Sequence, residues 1–306
     1  MKNVTLRQLK VFAAVARALS FSRAARELHL SQPAVSMQIR SLEQAVGLPL
    51  LERAGRRTVL TEAGRELLAR AAGIAELLRE AEESLDALRG VKRGTLRLGA
   101  VSTAKYFAPS LLAAFKRTHP DVTVRFAVGN REEMIRSLAA NDTDLVIMGR
   151  PPRELETLAE PFAKHPLVIV AAPAHPLAKR RRIPLAKLAQ ENFLIREQGS
   201  GTRAAMERVF KDRGLAYQAS MEVASNETIK QAVIAGMGIA FLSAHTVGLE
   251  RKAGKLAVLD VAGLPILRQW FVIQLKTKRL SPVAAAFRAF LLDQGARIIA
   301  GAVERG

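Results

Sequence analysis

The sequence predicts an α/β protein with an all-α N-terminal part, and three patterns indicate this fold class. Residues 5–47 carry three short amphipathic helices, and residues 61–89 carry one long helix with a heptad repeat. From Thr95 onward, short apolar strands alternate with amphipathic helices. This alternation is typical of α/β lobes with mainly parallel sheets. The 306 residues suffice for two or three compact units.

Each of the three short helices begins at a residue suited to cap it. These residues are Thr5 with Gln8, then Ser20 or Ser22, then Ser31. The third helix keeps an apolar stripe inward, and its other side presents Gln32, Pro33, Ser36, Met37 and Arg40. Amides, guanidinium groups and apolar side chains of this kind read base edges in the DNA major groove. The alternative is an ordinary three-helix core with a solvated polar face.

A basic turn follows the third helix in the stretch LLERAGRRTVL. It places Arg53, Arg56 and Arg57 around Gly55, as in a β-wing that reaches phosphates or the minor groove. The order of the elements, the caps and this arginine wing together favour a winged helix-turn-helix that binds double-stranded DNA.

The long helix over residues 61–89 carries apolar residues at alternating steps of four and three. This seam predicts a helix that pairs with a second copy of itself, through Leu67, Ile74, Leu78, Ala81 and Leu85. The alternative is an amphipathic helix that packs on its own domain. A short basic linker follows at residues 91–94.

The remainder of the chain predicts strands at 96–101, 122–128, 144–148, 167–172, 193–196, 221–224, 239–243 and 269–274. Helices are expected between them at 107–117, 132–140, 202–212 and 227–235. Ligands of open α/β sheets bind at the carboxyl ends of strands. This rule selects as effector-binding residues Ser102, Thr103, Lys105, Asn130, Arg150, Ser200, Gly201, Thr202, Arg203, Asn226 and Thr228.

The segment Gly199-Ser200-Gly201 opens one of these helices, where backbone amides can hold a carboxylate or phosphate. Single residues also have simpler interpretations. Ser102, Thr103 and Asn226 could each cap a helix, and Arg150 could be a surface side chain. Their convergence on one cleft is what favours a ligand site.

The net charge of +19 indicates an anionic partner. Residues 1–93 carry +6 and the remainder carries +13, so DNA binding does not explain the whole excess. The larger share is either a solvated surface or a field that attracts an anionic ligand.

Composition and motifs limit the other function classes. The chain has no cysteine, which excludes disulfides, thiolate metal sites and cysteine nucleophiles and fits a reducing cytoplasm. An enzyme is disfavoured because there is no G-x-S-x-G, no H-E-x-x-H and no P-loop motif. A transport binding protein is disfavoured because residues 1–10 lack the apolar stretch of a secretion signal. We therefore expect a cytoplasmic, non-enzymatic protein with no metal and no membrane partner.

The stretch LRQLKVFAAVARALSFSRAARELHLSQPAVSMQIRSLEQAVGLPLLER, followed by LTEAG, closely resembles the DNA-binding signature of LysR-type transcriptional regulators. GTLRLGAVST, DTDLVIMG and AVIAGMGIAFLS extend the resemblance over almost the whole chain. It implies a DNA-binding domain at 1–60, a linker and dimerisation helix at 61–93, and an effector-binding domain at 94–306. That last domain would be periplasmic-binding-protein-like, with Rossmann-like lobe I at 94–163 and 267–306 and lobe II at 164–266.

The family also implies homodimers or homotetramers, a co-inducer in the cleft between the lobes, activation of transcription, and contact with RNA polymerase. The segments STAKYFAPSLLAAF, GNREEMIRSL and REQGSGTR most resemble the CbbR subgroup, which regulates carbon-fixation operons. This resemblance implies no resident cofactor but a phosphorylated metabolite or nicotinamide nucleotide as effector. The alternative is a regulator of another metabolic operon with a non-phosphorylated carboxylate effector.

Overall fold

The structure is a computed structural model that describes residues 4–54, 57–88 and 94–305. The chain divides into two compact units, Met1–Leu85 and Asp86–Gly306, which are described in turn. In the described residues, no helix is both long and apolar enough to cross a membrane.

The first unit contains three helices, a hairpin and a long helix. Their bounds are α1 (Leu6–Ala18), α2 (Phe21–Glu27), α3 (Gln32–Val46), β1 (Leu51–Ala54), β2 (Arg57–Leu60) and α4, which begins at Glu62 and ends at Leu88. The predicted capping box of Thr5 and Gln8 is confirmed, and Ser20 and Ser31 cap α2 and α3. Gly47 ends α3 with φ +80°, a conformation that glycine adopts without steric cost.

The second unit alternates strands and helices as predicted. Its elements are β3 (Gly94–Val101), α5 (Ala108–Thr118), β4 (Val122–Gly129), α6 (Arg131–Ala139), β5 (Leu145–Met148), β6 (Thr157–Ala171), α7 (Leu185–Leu188), β7 (Asn192–Arg196), α8 (Gly201–Lys211), β8 (Gln218–Val223), α9 (Asn226–Ile234), β9 (Ile239–Ser243), α10 (Gly248–Lys252), β10 (Ala257–Val258), β11 (Ile266–Leu275) and α11 (Pro282–Arg305).

The strands of this unit form one continuous hydrogen-bonded path in the order β4-β3-β5-β11-β6-β9-β7-β8. The predicted parallel pairing holds at both ends, because β3 is parallel to β4 and β5, and β7 is parallel to β8 and β9. The long strands β6 and β11 pair antiparallel with each other and connect the two sets. Separate apolar cores lie around the first set with α11 and around the second set. This arrangement confirms the predicted two-lobed, periplasmic-binding-protein-like fold class.

Besides the short elements α7, α10 and β10, two long segments of regular structure were not predicted from the sequence. Residues 157–166 extend β6 toward its N-terminus although they include Pro161 and Pro166, which normally argue against a strand interior. The pairing register shifts between Trp270 and Phe271, opposite Pro161, so a bulge accommodates this proline. The other element is α11, whose Phe287 and Leu291 are fully buried in the core of the first lobe.

Candidate functional sites

Helix α3 presents its predicted polar face to solvent. Val35, Ile39 and Leu42 are buried in the core of the first unit. On the other side Gln32, Pro33, Met37 and Arg40 are exposed, and Ser36 is half-buried. Met37 is 63% exposed, so its side chain is available for contact with a thymine methyl group.

The hairpin β1–β2 is the predicted wing, and α3 holds its base in place. The carboxylate of Glu43 accepts hydrogen bonds from the backbone N–H groups of Leu50 (2.8 Å) and Leu51 (3.3 Å). Arg53 pairs with Thr58 across the hairpin, and both Arg53 and Arg57 are exposed. Arg56, the third predicted wing arginine, lies outside the described residues.

The apolar seam of helix α4 is buried in the first turns of the helix and exposed in the later turns. Leu67 is buried in the first unit's own core, so this residue already has an intramolecular partner. Ile74, Leu78 and Leu85 are exposed large apolar side chains, and Ala81 is exposed as well. The interpretation as an amphipathic helix on its own domain therefore fits the first turns of α4, and a self-pairing seam fits the later turns.

A cavity of about 520 Å³ lies within the second unit. Seven of the eleven predicted effector-binding residues line it, namely Ser102, Thr103, Asn130, Arg150, Ser200, Gly201 and Thr202. They come from the carboxyl ends of β3, β4, β5 and β7, as the rule for open sheets requires. Asn130 also caps α6, because its side chain accepts a hydrogen bond from the Glu133 N–H (2.9 Å).

Four cavity-lining arginines form what we call the arginine cluster, which comprises Arg131, Arg150, Arg208 and Arg268. Burial, and then the charges of Arg150, Arg208 and Arg131, lower the pKa of Arg268 to about 10. Burial and the neighbouring Arg208 likewise lower the pKa of Arg150. Such mutual repulsion is relieved by a bound anion.

Among the described residues the arginine cluster has one ion-pair partner, Glu154, whose carboxylate lies 3.8 Å from the Arg131 guanidinium. Arg268 donates hydrogen bonds to the carbonyl oxygens of Gly149 (2.8 Å) and Gly201 (3.4 Å), neither of which neutralises its charge. In the described parts of the chain, no hydrogen bond or ion pair involves the side chain of Arg150 or Arg208. Asp212 is the one carboxylate among the described residues that line the cavity. The cavity wall therefore carries excess positive charge.

Arg203 was predicted to bind the effector, but the structure corrects this. Helix α8 turns Ala204, Arg208 and Asp212, which are spaced four apart, toward the cavity. Arg203 lies on a different side of the helix and pairs with Glu207 (2.8 Å) and Glu222 (2.6 Å). Helical periodicity from Gly201 onward would have identified Arg208 instead.

Three other predicted effector residues also lie outside the cavity lining. The Lys105 ammonium lies 5.2 Å from the centre of the Tyr106 ring, because the chain after β3 forms a short 3₁₀ turn. Thr228 is exposed, and its N–H donates to Ser225, the residue that caps α9. Asn226 is buried and its side chain is engaged by Arg196 and by the carbonyl oxygen of Ser102 (3.3 Å).

Arg196, at the carboxyl end of β7, was missed by the sequence analysis. It lines the cavity and is almost fully buried, with Glu197 as its ion-pair partner (2.7 Å). It also donates to Asn226 of the second lobe and to Ser102 of the first (3.0 Å). The strand-end rule that selected residues 197–203 would have found it one position earlier.

His165 on β6 is a further lining residue that the sequence did not reveal. It stands directly opposite Arg268 in the β6–β11 pair. Its ring stacks on the Trp270 indole, with 3.8 Å between ring centres, and only 3% of the residue is exposed. Neither ring nitrogen has a hydrogen-bond partner. Burial and then the charge of Arg268 hold the pKa of His165 well below its usual value.

The described residues contain no group of histidine, cysteine and acidic side chains that could hold a metal ion. The chemistry that the cavity offers is instead that of anion binding. Guanidinium groups, hydroxyl groups and the N-terminal amides of α8 all donate hydrogen bonds to oxyanions.

Comparison with known proteins agrees with both halves of this description. Residues 6–65 match the model of bacterial regulatory helix-turn-helix proteins of the lysR family, and residues 89–296 match the LysR substrate binding domain. A RuBisCO operon transcriptional regulator of Allochromatium vinosum is 52% identical over 296 residues, which cover 97% of this chain and 98% of that protein. The regulator CbbR of Rhodospirillum rubrum is 50% identical over 286 residues, or 94% of this chain and 95% of that protein.

Among solved structures, the regulatory domain of Synechocystis CcmR in complex with 2-PG is 40% identical, with a TM-score of 0.64. The match covers 66% of this chain and 97% of that one. These relatives confirm the predicted resemblance to CbbR regulators and the prediction of a regulator, not an enzyme. The chain belongs to the LysR family of transcriptional regulators, with its helix-turn-helix in the first unit and its substrate-binding domain in the second.

Proposed function

We propose that this protein activates transcription of carbon-fixation genes in response to a small phosphorylated anion bound in the cavity of the second unit. The arginine cluster carries the effector part of the proposal, because several guanidinium groups, with one carboxylate among the described lining residues, favour a multiply charged oxyanion. The operon part rests on relatives at about 50% identity that are named as regulators of the RuBisCO operon or as CbbR.

We assign the DNA contacts to two surfaces of the first unit. Gln32, Pro33, Ser36, Met37 and Arg40 of α3 would read bases, and Arg53, Arg56 and Arg57 of the wing would contact phosphates. The exposed seam of α4 would join two copies, which assemble further into a homotetramer. As in other members of the family, the protein would act in the cytoplasm together with RNA polymerase. Footprinting on DNA upstream of carbon-fixation genes tests the operator, and transcription in vitro tests activation.

Calorimetry on the full-length protein tests the effector class. We expect 2-phosphoglycolate, phosphoenolpyruvate, a sugar bisphosphate or a nicotinamide nucleotide to bind, and shikimate, which has a carboxylate but no phosphate, to bind far more weakly. The structure of the CcmR regulatory domain in complex with 2-PG supports the choice of the first of these probes. Tight binding of shikimate alone would favour the alternative, a carboxylate-sensing regulator of another operon.

Two arginines on the same helix make a matched pair of variants. Arg208→Ala removes a member of the arginine cluster and should weaken the binding of a phosphorylated ligand about ten- to a hundredfold, as expected for one charge-assisted contact. Arg203→Ala removes an equal charge outside the cavity and should change affinity by less than about threefold. Equal losses in both variants would point to a general field effect and not to a site.

A further inference from the structure

His165 occupies an unusual position in the cavity wall. A buried polar side chain normally has a hydrogen-bond partner, and leaving one without a partner is unfavourable. His165 has none at either ring nitrogen, although it is almost fully buried and lines the cavity. A bound ligand would supply the missing partner.

The surroundings of His165 fix where such a ligand would lie. One face of the ring is covered by Trp270, and Gly149 is close to its edge, since a Cβ built on that glycine would lie 2.7 Å from Nδ1. Arg268, which stands opposite His165 on β11, donates to the carbonyl oxygen of the same glycine. An oxyanion that reaches Arg268 therefore lies beside the imidazole as well.

We propose that His165 is an effector-binding residue that takes up a proton from solvent when an oxyanion binds beside Arg268. The imidazolium then donates a charge-assisted hydrogen bond to the anion, a contact that the neutral ring makes less strongly. This inference rests on the proposed anionic effector, and it adds that effector affinity rises as the pH falls.

The charged groups around His165 explain why anion binding favours the protonated ring. Arg268 on β11 stands directly opposite His165. The ring centres of His165 and His245, which follows β9, are 6.2 Å apart. The other members of the arginine cluster come from α6, from α8 and from the segment after β5. Asp212 of α8 is the acidic residue that lines the same cavity. Burial, and then the charges of Arg268 and His245, hold the pKa of His165 well below its usual value when no anion is bound. A dianion reverses the local field and favours the protonated ring.

Proton uptake is measured by calorimetry on the full-length protein in buffers of different ionisation enthalpy. The probes are 2-phosphoglycolate and inorganic sulfate, the latter because sulfate does not titrate between about pH 6.5 and 8.5, so that any proton taken up belongs to the protein. We expect wild type to take up as much as one proton per site with both anions. Full uptake makes affinity fall about tenfold for each unit of rising pH.

Two variants assign the proton to its residue. His165→Gln keeps a hydrogen-bonding side chain and His165→Phe keeps the aromatic stacking on Trp270, and neither can titrate. With sulfate, both should bind without proton uptake and with a flat pH dependence. His175→Gln, which removes a histidine that pairs with Glu191 away from the cavity, should behave as wild type.

The outcomes separate this inference from the proposed function. If wild type binds both anions without taking up a proton, or if either His165 variant retains the uptake, the role of His165 is wrong and the anionic effector stands. If neither anion binds wild type, the effector proposal and this inference both fail.

Discussion

Arg196 and Ser102 join the two lobes of the second unit through a hydrogen bond of 3.0 Å from the guanidinium to the hydroxyl oxygen. The two residues are 94 positions apart, and both line the cavity. A ligand that contacts either of them therefore acts on a bond that holds the lobes together. A ligand that binds one arrangement of the lobes more tightly than another shifts the equilibrium between the two arrangements, and a contact between the lobes is a place where it can do so.

Removing this bond should destabilise the second unit. We expect Ser102→Ala to lower its free energy of unfolding by about 1.5 kcal/mol. Arg196→Ala should lower it by about 3 kcal/mol, because the Glu197 carboxylate and the Asn226 Oδ1 also lose a partner. The readout is urea unfolding followed by fluorescence of Trp270, the sole tryptophan. Ser110→Ala, at an exposed serine of α5, should have no effect. Equal stability of all three variants would show that the bond does not hold the lobes.

Specific DNA binding should depend on the exposed face of α3. Arg40→Ala and Gln32→Ala should each weaken binding to the operator by about 1–3 kcal/mol and should reduce discrimination against random DNA. Gel shifts on both DNAs measure this. Arg297→Ala, which removes the same charge from the exposed side of α11, is the control. Full discrimination in both α3 variants would exclude this helix as the reader.

The wing should act through phosphates. Neutralising Arg53 should make the logarithm of affinity less dependent on salt, with the slope reduced by about one. Titrations of operator DNA at several salt concentrations measure the slope, again with Arg297→Ala as the control. A wild-type slope in Arg53→Ala and in Arg57→Ala would remove the wing from the interface.

Assembly should depend on the later turns of α4. Charged residues at Ile74 and Leu78, each 37% exposed, should separate the subunits because a charge buried in an apolar seam has no partner. Sedimentation of the Ile74→Asp, Leu78→Asp double variant measures this, and Ala75→Glu, on an adjacent side of the helix, is the control. An intact oligomer of the double variant would place the main contact elsewhere.

Acid should weaken the first lobe through Asp144, which is fully buried. Burial by itself would raise the pKa of Asp144, but the Arg97 hydrogen bonds and the Lys278 charge (3.0 Å) outweigh this and lower it. The ion pairs thus stabilise the fold above the ordinary carboxylate pKa, and this stability is lost as pH falls through the lowered value. Asp144→Asn should cost about 3 kcal/mol at neutral pH. In urea unfolding, its difference from wild type should shrink as pH falls below about 4.

The local patterns of the sequence were enough to predict the first unit. Capping residues, helical periodicity and the position of Gly47 depend on neighbours within a few turns, so α1, α3 and the wing follow from them directly. The same holds for the alternation of strands and helices and for the seven cavity residues at strand ends. The N-terminal part of β6 was not predicted, because Pro161 argues against a strand interior. The bulge that accommodates Pro161 is visible only from the pairing with β11.

What the sequence determined by itself was therefore the class of protein, the helix-turn-helix that precedes an α/β region, and the polar strand ends that line the cavity. The tertiary structure decided which cations face that cavity. Arg203 and Arg208 both lie on α8, but Arg203 pairs with Glu222 and Arg208 lines the cavity. Arg268 and His165 lie far apart in the chain and become neighbours only through the antiparallel register of two crossover strands. Contacts of this kind depend on long-range strand pairing, which no local pattern of residues encodes.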